Sequence, residues 1–235
     1  MYPEDSVQSL TREWWIEERT GSIVRGRLIR TFVPYAEMKP HRLVPEDRGE
    51  NARQHTRANF RLEPFRIGDP PSAVGPLPVA ALPLREGETY FVQRGKVRPA
   101  VVLSTGGPEI PTTIRGGRER WQANRTLLVA PFYGADRGGT RGGWPAPFVD
   151  RIRRAEYPQY VWDQLPSTVG PTESILRLDH LFAIGADPAG FQLEPHRLSA
   201  EALQLVYEWL YWLATDAFQE GSVLAIIRED FAKLP

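Results

Sequence analysis

The chain has 235 residues, 41% of them hydrophobic and 25% charged, which is the balance of a globular protein able to bury a sizeable core. It has no cysteine, which excludes disulfides, thiol nucleophiles and cysteine-held metals, and no run near the ~18 apolar residues of a membrane span. Basic and acidic residues balance at 29 each, but unevenly: residues 94–154 hold 12 basic and 4 acidic side chains, and residues 155–235 hold 4 and 12. A basic middle can face a polyanion, and it can equally pair with the acidic end or with another subunit.

The first zone runs to residue 85. Its opening, MYPEDSVQSLTREWW, has early acids and no apolar run, so a secretory signal is not expected and a cytoplasmic protein is. LTREWWIEER (10–19) is read as a short helix. SIVRGRLIRTFVPY (22–35) and FRLEPFRI (60–67) are rich in β-branched and apolar residues and read as strands. GDPPSAVGPLPVAALP (68–83) reads as extended and irregular. These apolar pieces are too few and scattered for an independent core, so residues 1–85 are expected to be an extension packed on the main domain, residues 86–235.

The second zone is a series of short strands: GETYFVQ and RPAVVLS around the link RGK, then RTLLVAPFY, YPQYVWDQL and ESILRLDHLFAI, with a Gly- and Arg-rich loop at 134–145. Short strands between Gly and Pro turns predict a small barrel or sandwich. The third zone is helical. Ser199 is a good N-cap and Glu201 suits the first turn. Leu203, Val206, Leu210 and Leu213 recur at helical spacing, and Leu205, Trp209 and Trp212 widen the apolar arc. That width suits a helix packed on the strands, or one also used between subunits. SVLAIIREDFAKL (222–234) reads as a further helix or an added strand.

Charged residues interrupt the apolar segment 173–184. Read as one continuous strand, it places Leu176, Leu178, His180, Phe182 and Ile184 on one face and Ile175, Arg177, Asp179, Leu181 and Ala183 on the other. Arg177 and Asp179 then share a face, as an exposed ion pair or as part of a site. His180 is expected among the core leucines unless a bulge turns it. The four histidines are scattered and form no spaced ligand pair, so no metal site is expected.

Several short motifs, in order, resemble the MazF/PemK/Kid toxin family. GETYFV followed by GKVRPAVVLS is similar to the family's opening, through Gly87, Glu88, Gly95, Arg98, Pro99, Val101, Val102 and Ser104. LLVAPFYG, YPQYVWDQL, ESILRLDHLFAIG and HRLSAEALQLVYEWLYWL resemble its later strands and closing helix, so the likeness covers residues 86–214. It implies a mainly β fold, an SH3-like small barrel with a C-terminal helix, commonly dimeric. It also implies cleavage of single-stranded RNA without metal or cofactor, by attack of the 2′-hydroxyl on the adjacent phosphate. An antitoxin or other protein partner is implied, and no membrane.

Carried over by position, the resemblance gives Arg177 the developing charge, Asp179 an acid or base role, and Arg98 a contributing cation. Tyr133 stands where the family has a threonine, and His180 where it has a glutamine. Arg94, Lys96, Arg98, Arg137 and Arg141 would make a basic RNA groove, with His180 beside it. The family's first loop looks shortened here to QRGK, taking its usual base with it. Either His180 replaces that base through a local twist, or the barrel is catalytically degenerate. A degenerate barrel would be a protein- or nucleic-acid-binding module of a toxin–antitoxin or defence assembly. Poisoning of a DNA topoisomerase is a third reading, since a related toxin class shares the barrel.

Overall fold

The computed structural model describes residues 2–36, 38–47, 53, 58–70, 84–117, 123–135, 143–166 and 172–233. The chain divides into two compact units, Met1–Val33 with Val97–Pro235, and Pro34–Lys96. The described residues are mainly β, with eleven strands in two antiparallel sheets and two helices at the C-terminal end.

The larger unit holds β1 (Trp15–Glu17), β2 (Arg27–Pro34), β6 (Gly95–Ser104), β7 (Thr126–Gly134), β8 (Tyr160–Leu165), β9 (Thr172–Arg177), β10 (Phe182–Gly185) and β11 (Phe191–Leu198). Their order is β1-β11-β2-β6-β7-β9-β8, with β10 also on β7. This path has two ends, β1 and β8, and among the described residues it does not close into a barrel. Central strands are apolar on both faces, as strands covered on both sides must be. In β6, Val101 and Leu103 enter one buried cluster while Ala100 and Val102 enter another.

Helix α1 (Ala146–Arg153) packs Val149 and Ile152 against Trp162 and Ile175. Helix α2 (Ala200–Thr215) starts at Ser199, whose hydroxyl accepts from the Ala202 N–H at 3.1 Å, the N-cap its sequence predicts. Its buried side chains are Ala202, Leu205, Val206 and Trp209, with Glu208; Leu203, Leu210 and Leu213 stand at the rim of the expected stripe. Helix α3 (Val223–Phe231) settles the last segment as helix. Glu208 of α2 explains its own burial there: its carboxylate accepts from Ser222 Oγ at 2.7 Å and the Leu224 N–H at 2.9 Å.

The segment 10–19 is not a helix. A 3-10 turn occupies Val7–Leu10, and β1 pairs with β11. Tertiary bonds override helix propensity here. Buried Asp163 accepts from the Trp14 indole at 3.0 Å, from the Trp15 indole at 3.1 Å and from the Tyr2 hydroxyl at 3.3 Å. Gln8 also donates to the Trp162 carbonyl. Burial drives the Asp163 carboxyl up to about 7, although these donors pull it down.

The smaller unit is a three-stranded sheet, β4 (Asn59–Pro64), β3 (His41–Asp47) and β5 (Tyr90–Val92), in that order. None of the fully buried hydrophobic side chains among the described residues belongs to it. Its described contacts are ion pairs such as Arg42–Glu63 at 2.6 Å and the edge-on rings of Phe65 and Phe91. GETYFVQ and RPAVVLS are therefore not partners across a tight link. β5 pairs with β3, while β6 lies between β2 and β7. Along the chain only Gln93 and Arg94 separate β5 from β6, and the smaller unit stands between β2 and β6. The Pro- and Gly-rich stretch at 71–83 lies outside the described residues. No helix among the described residues is long and apolar enough to cross a membrane.

Candidate functional site

The segment 173–184 is two strands joined by a 3-10 turn, not one strand. β9 ends at Arg177, and Leu178–His180 form the turn before β10. Leu178 anchors it, with its side chain in the main core and its N–H bonded to the Gln159 carbonyl at 2.9 Å. In a 3-10 turn side chains three apart eclipse one another. His180 therefore comes round onto Arg177 instead of pointing with the core leucines, which corrects the strand-alternation expectation.

Arg177 is the centre of the cluster. Its Nε donates to Asp179 Oδ1 at 2.7 Å and its Nη2 to Oδ2 at 2.6 Å, a bidentate pair in which Arg177 is 12% exposed and Asp179 32%. The same Nη2 lies 2.8 Å from His180 Nε2, and His180 Nδ1 lies 2.9 Å from the Tyr133 hydroxyl. Arginine can only donate, so Nε2 is the acceptor and the ring proton sits on Nδ1. Nδ1 then donates to Tyr133, which keeps its own hydroxyl proton directed away from the imidazole. Burial alone would lower the Arg177 pKa. The bonds and charge of Asp179, with Tyr160 and Tyr133 nearby, outweigh it and hold the group above its ordinary value.

Strand pairing delivers the remaining members. Ala100 of β6 faces Pro131 of β7, so two residues further along Arg98 and Tyr133 share the same sheet face. The Arg98 guanidinium carbon lies 4.3 Å from the Tyr133 ring centre, and that of Arg177 lies 5.8 Å away. Tyr160 of β8 pairs with Arg177 of β9, and its ring centre is 4.9 Å from the Arg177 guanidinium. Arg98 makes no ion pair with a described residue, and its buried Nε has no hydrogen-bond partner. Among the described residues, a guanidinium balanced by no carboxylate beside a balanced one gives the cluster surplus positive charge.

The structure thus brings Arg98, Tyr133, Arg177, Asp179 and His180 together. Arg94 and Lys96 are exposed residues of the smaller unit. Arg137 and Arg141 lie outside the described residues. Tyr160 was missed by sequence reasoning; the aromatic density of YPQYVW was its only signal. A cavity of about 460 Å³ also lies in the larger unit, lined in part by Leu28, Pro99, Phe132, Ser174 and Glu194. Arg98 lines it too, so the cavity adjoins the cluster at that residue, although alternation puts Phe132 and Ser174 on the face opposite Tyr133 and Arg177.

Arrangements of this kind can hold a phosphate between guanidinium groups and offer it a neutral imidazole as base. No protein-family model, curated protein or solved structure matches the chain.

Proposed function

We propose that this chain is a MazF/PemK-like, toxin-type protein that binds single-stranded RNA at the Arg98–Tyr133–Arg177–Asp179–His180 cluster and cleaves it without metal. The observation that carries the reading is the contact chain itself: five residues named by the resemblance, drawn from three separate segments, touch in sequence. In this reading β2 takes the part that GETYFV had, and the smaller unit is an expansion of the family's first loop within an SH3-like architecture.

The reaction needs a base for the 2′-hydroxyl, an acid for the leaving oxygen and a cation at the phosphorane. Arg177 turns from His180 to the bound phosphate, which frees Nε2. His180 Nε2 removes the 2′-hydroxyl proton as that oxygen attacks phosphorus. Tyr133 supplies a proton to the departing 5′-oxygen. The products are a 2′,3′-cyclic phosphate and a 5′-hydroxyl, and no water is consumed. Arg98 and Arg177 stabilise the extra negative charge, and Asp179 holds the Arg177 fork. The 2′-hydroxyl requirement restricts the reaction to RNA.

The test is incubation of the purified protein with single-stranded RNA in excess chelator. Cyclic-phosphate ends that vanish in Arg177→Ala and His180→Ala support the reading. No cleavage, or cleavage unchanged in both variants, overturns it. One observation favours the alternative of a non-catalytic binding module: Arg177 is already engaged by Asp179 and His180. RNA binding without turnover is that reading's result.

A further inference from the structure

Guanidinium and aromatic groups alternate across the sheet beyond the five residues already described. Arg98 of β6, Tyr133 of β7, Arg177 of β9 and Tyr160 of β8 stand on adjacent strands, at 4.3, 5.8 and 4.9 Å from cation to ring. The row does not stop at Tyr160. Its ring centre is 5.8 Å from Trp144, 5.8 Å from Phe148 and 6.2 Å from Tyr157. Trp144 precedes α1, Phe148 lies on it and Tyr157 follows it. Arg151 completes the row, 5.0 Å from the Tyr157 ring, with its charge balanced by Glu156 at 2.6 Å.

All four aromatic side chains of this group are half-buried. Their ring planes meet at 36° to 81°, and guanidinium groups lie over the Tyr160 and Tyr157 rings, so among the described residues Trp144 and Phe148 are the rings of the group without a cation over them. They pack against the small core of Val149, Ile152, Trp162 and Ile175. Aromatic faces alternating with guanidinium groups are what single-stranded nucleic acid requires, because bases stack on the rings while the cations follow the phosphates. A protein partner would need neither the alternation nor the surplus charge at Arg98.

We propose that Tyr160, Trp144, Phe148 and Tyr157 form a base-stacking platform, and that it extends the RNA path from the Arg98–Arg177 cluster onto α1. The platform rests on the reading of that cluster as an RNA site. It takes nucleotides beyond the two that flank the phosphate held by Arg177, and its sequence preference is weak, since every base has a face to stack. The cluster handles one phosphodiester; the platform sets the length of RNA the protein grips.

The experiment compares 2′-O-methyl RNA oligonucleotides, which cannot be cleaved, of two and eight nucleotides. Wild-type protein is expected to bind the octamer more tightly than the dinucleotide. Trp144→Leu and Phe148→Leu are expected to lose roughly tenfold in octamer affinity each, with dinucleotide affinity unchanged. An octamer no tighter than the dinucleotide, or variants that melt like wild type and bind the octamer equally well, overturn the platform. Dinucleotide binding that survives in that case leaves the cluster reading standing. Octamer binding that depends on Trp144 in a protein that never cleaves RNA supports the platform and removes the catalytic reading alone. If either variant fails to fold, 4-thiouridine RNA crosslinked to the wild-type protein decides: adducts within residues 144–160 support the platform, and adducts only elsewhere overturn it.

Discussion

Arg98 holds its guanidinium carbon 4.3 Å from the centre of the Tyr133 ring. That contact joins β6 to β7 at the one guanidinium of the cluster that no described carboxylate neutralises. Removing it should show first in electrostatics. Arg98→Ala is expected to weaken RNA binding and to reduce the salt dependence by about one phosphate contact, roughly 0.7 in the slope of log K against log salt. Titrations across a potassium chloride series measure this; an unchanged slope means Arg98 faces no phosphate.

Tyr133→Phe keeps the ring under Arg98 and deletes only the hydroxyl that His180 Nδ1 meets at 2.9 Å. RNA affinity should stay near wild type while single-turnover cleavage falls by about 100-fold or more, the scale of a lost proton donor. A parallel fall in affinity would assign the hydroxyl to binding instead.

Asp163 gives a pH dependence with a definite sign. Its folded-state pKa of about 7 stands above the ordinary 3.8, because burial disfavours the charged form. The folded protein therefore binds the proton more tightly than the unfolded chain. The stabilisation is complete below the ordinary value, declines as pH rises through about 7 and is absent above it. Other carboxylates titrate too, so the measurement is the melting temperature of wild type relative to Asp163→Asn. That difference should fall from pH 4 to pH 7 and then level off; a constant difference contradicts the assignment.

Glu208→Ala should destabilise the protein by about 1–3 kcal/mol, since it strands the Leu224 N–H and the Ser222 hydroxyl in a buried place. Hydrogen exchange should accelerate in α3 more than in the central strands. Uniform acceleration would mean that α3 unfolds only with the whole molecule.

Much of the larger unit was legible from residue patterns. The apolar runs of β6, β7 and β8 and the Ser199 cap of α2 all stand where local chemistry puts them. What failed were inferences that needed tertiary information. Three indole and phenol groups converging on Asp163 turned an expected helix into a strand edge. Pairing was misread at GETYFV because three residues of strand carry no mark of which sheet they will join. His180 was misplaced because strand alternation holds only while the strand continues, and nothing in RLDHLF announces a 3-10 turn. The Arg177–Asp179 pair was legible from opposite charges two residues apart, although Asp179 stands in the 3-10 turn and not on the strand face. Its link to Tyr133 and Tyr160 was not, since strand order had to be known first. Helix α1 went unread, its short APFVDRIR sitting between a glycine-rich loop and a strand.

Leu178 lies between the two residues of the ion pair, and its side chain is fully inside the main core. The cluster is thus not an ornament on a surface loop that selection could redraw freely. Its geometry is inherited from the packing beneath it, and a change of volume near Leu178 would reach Arg177 and Asp179, its immediate neighbours in the chain. Evolutionary drift in the core of this protein and drift in its chemistry would be hard to separate.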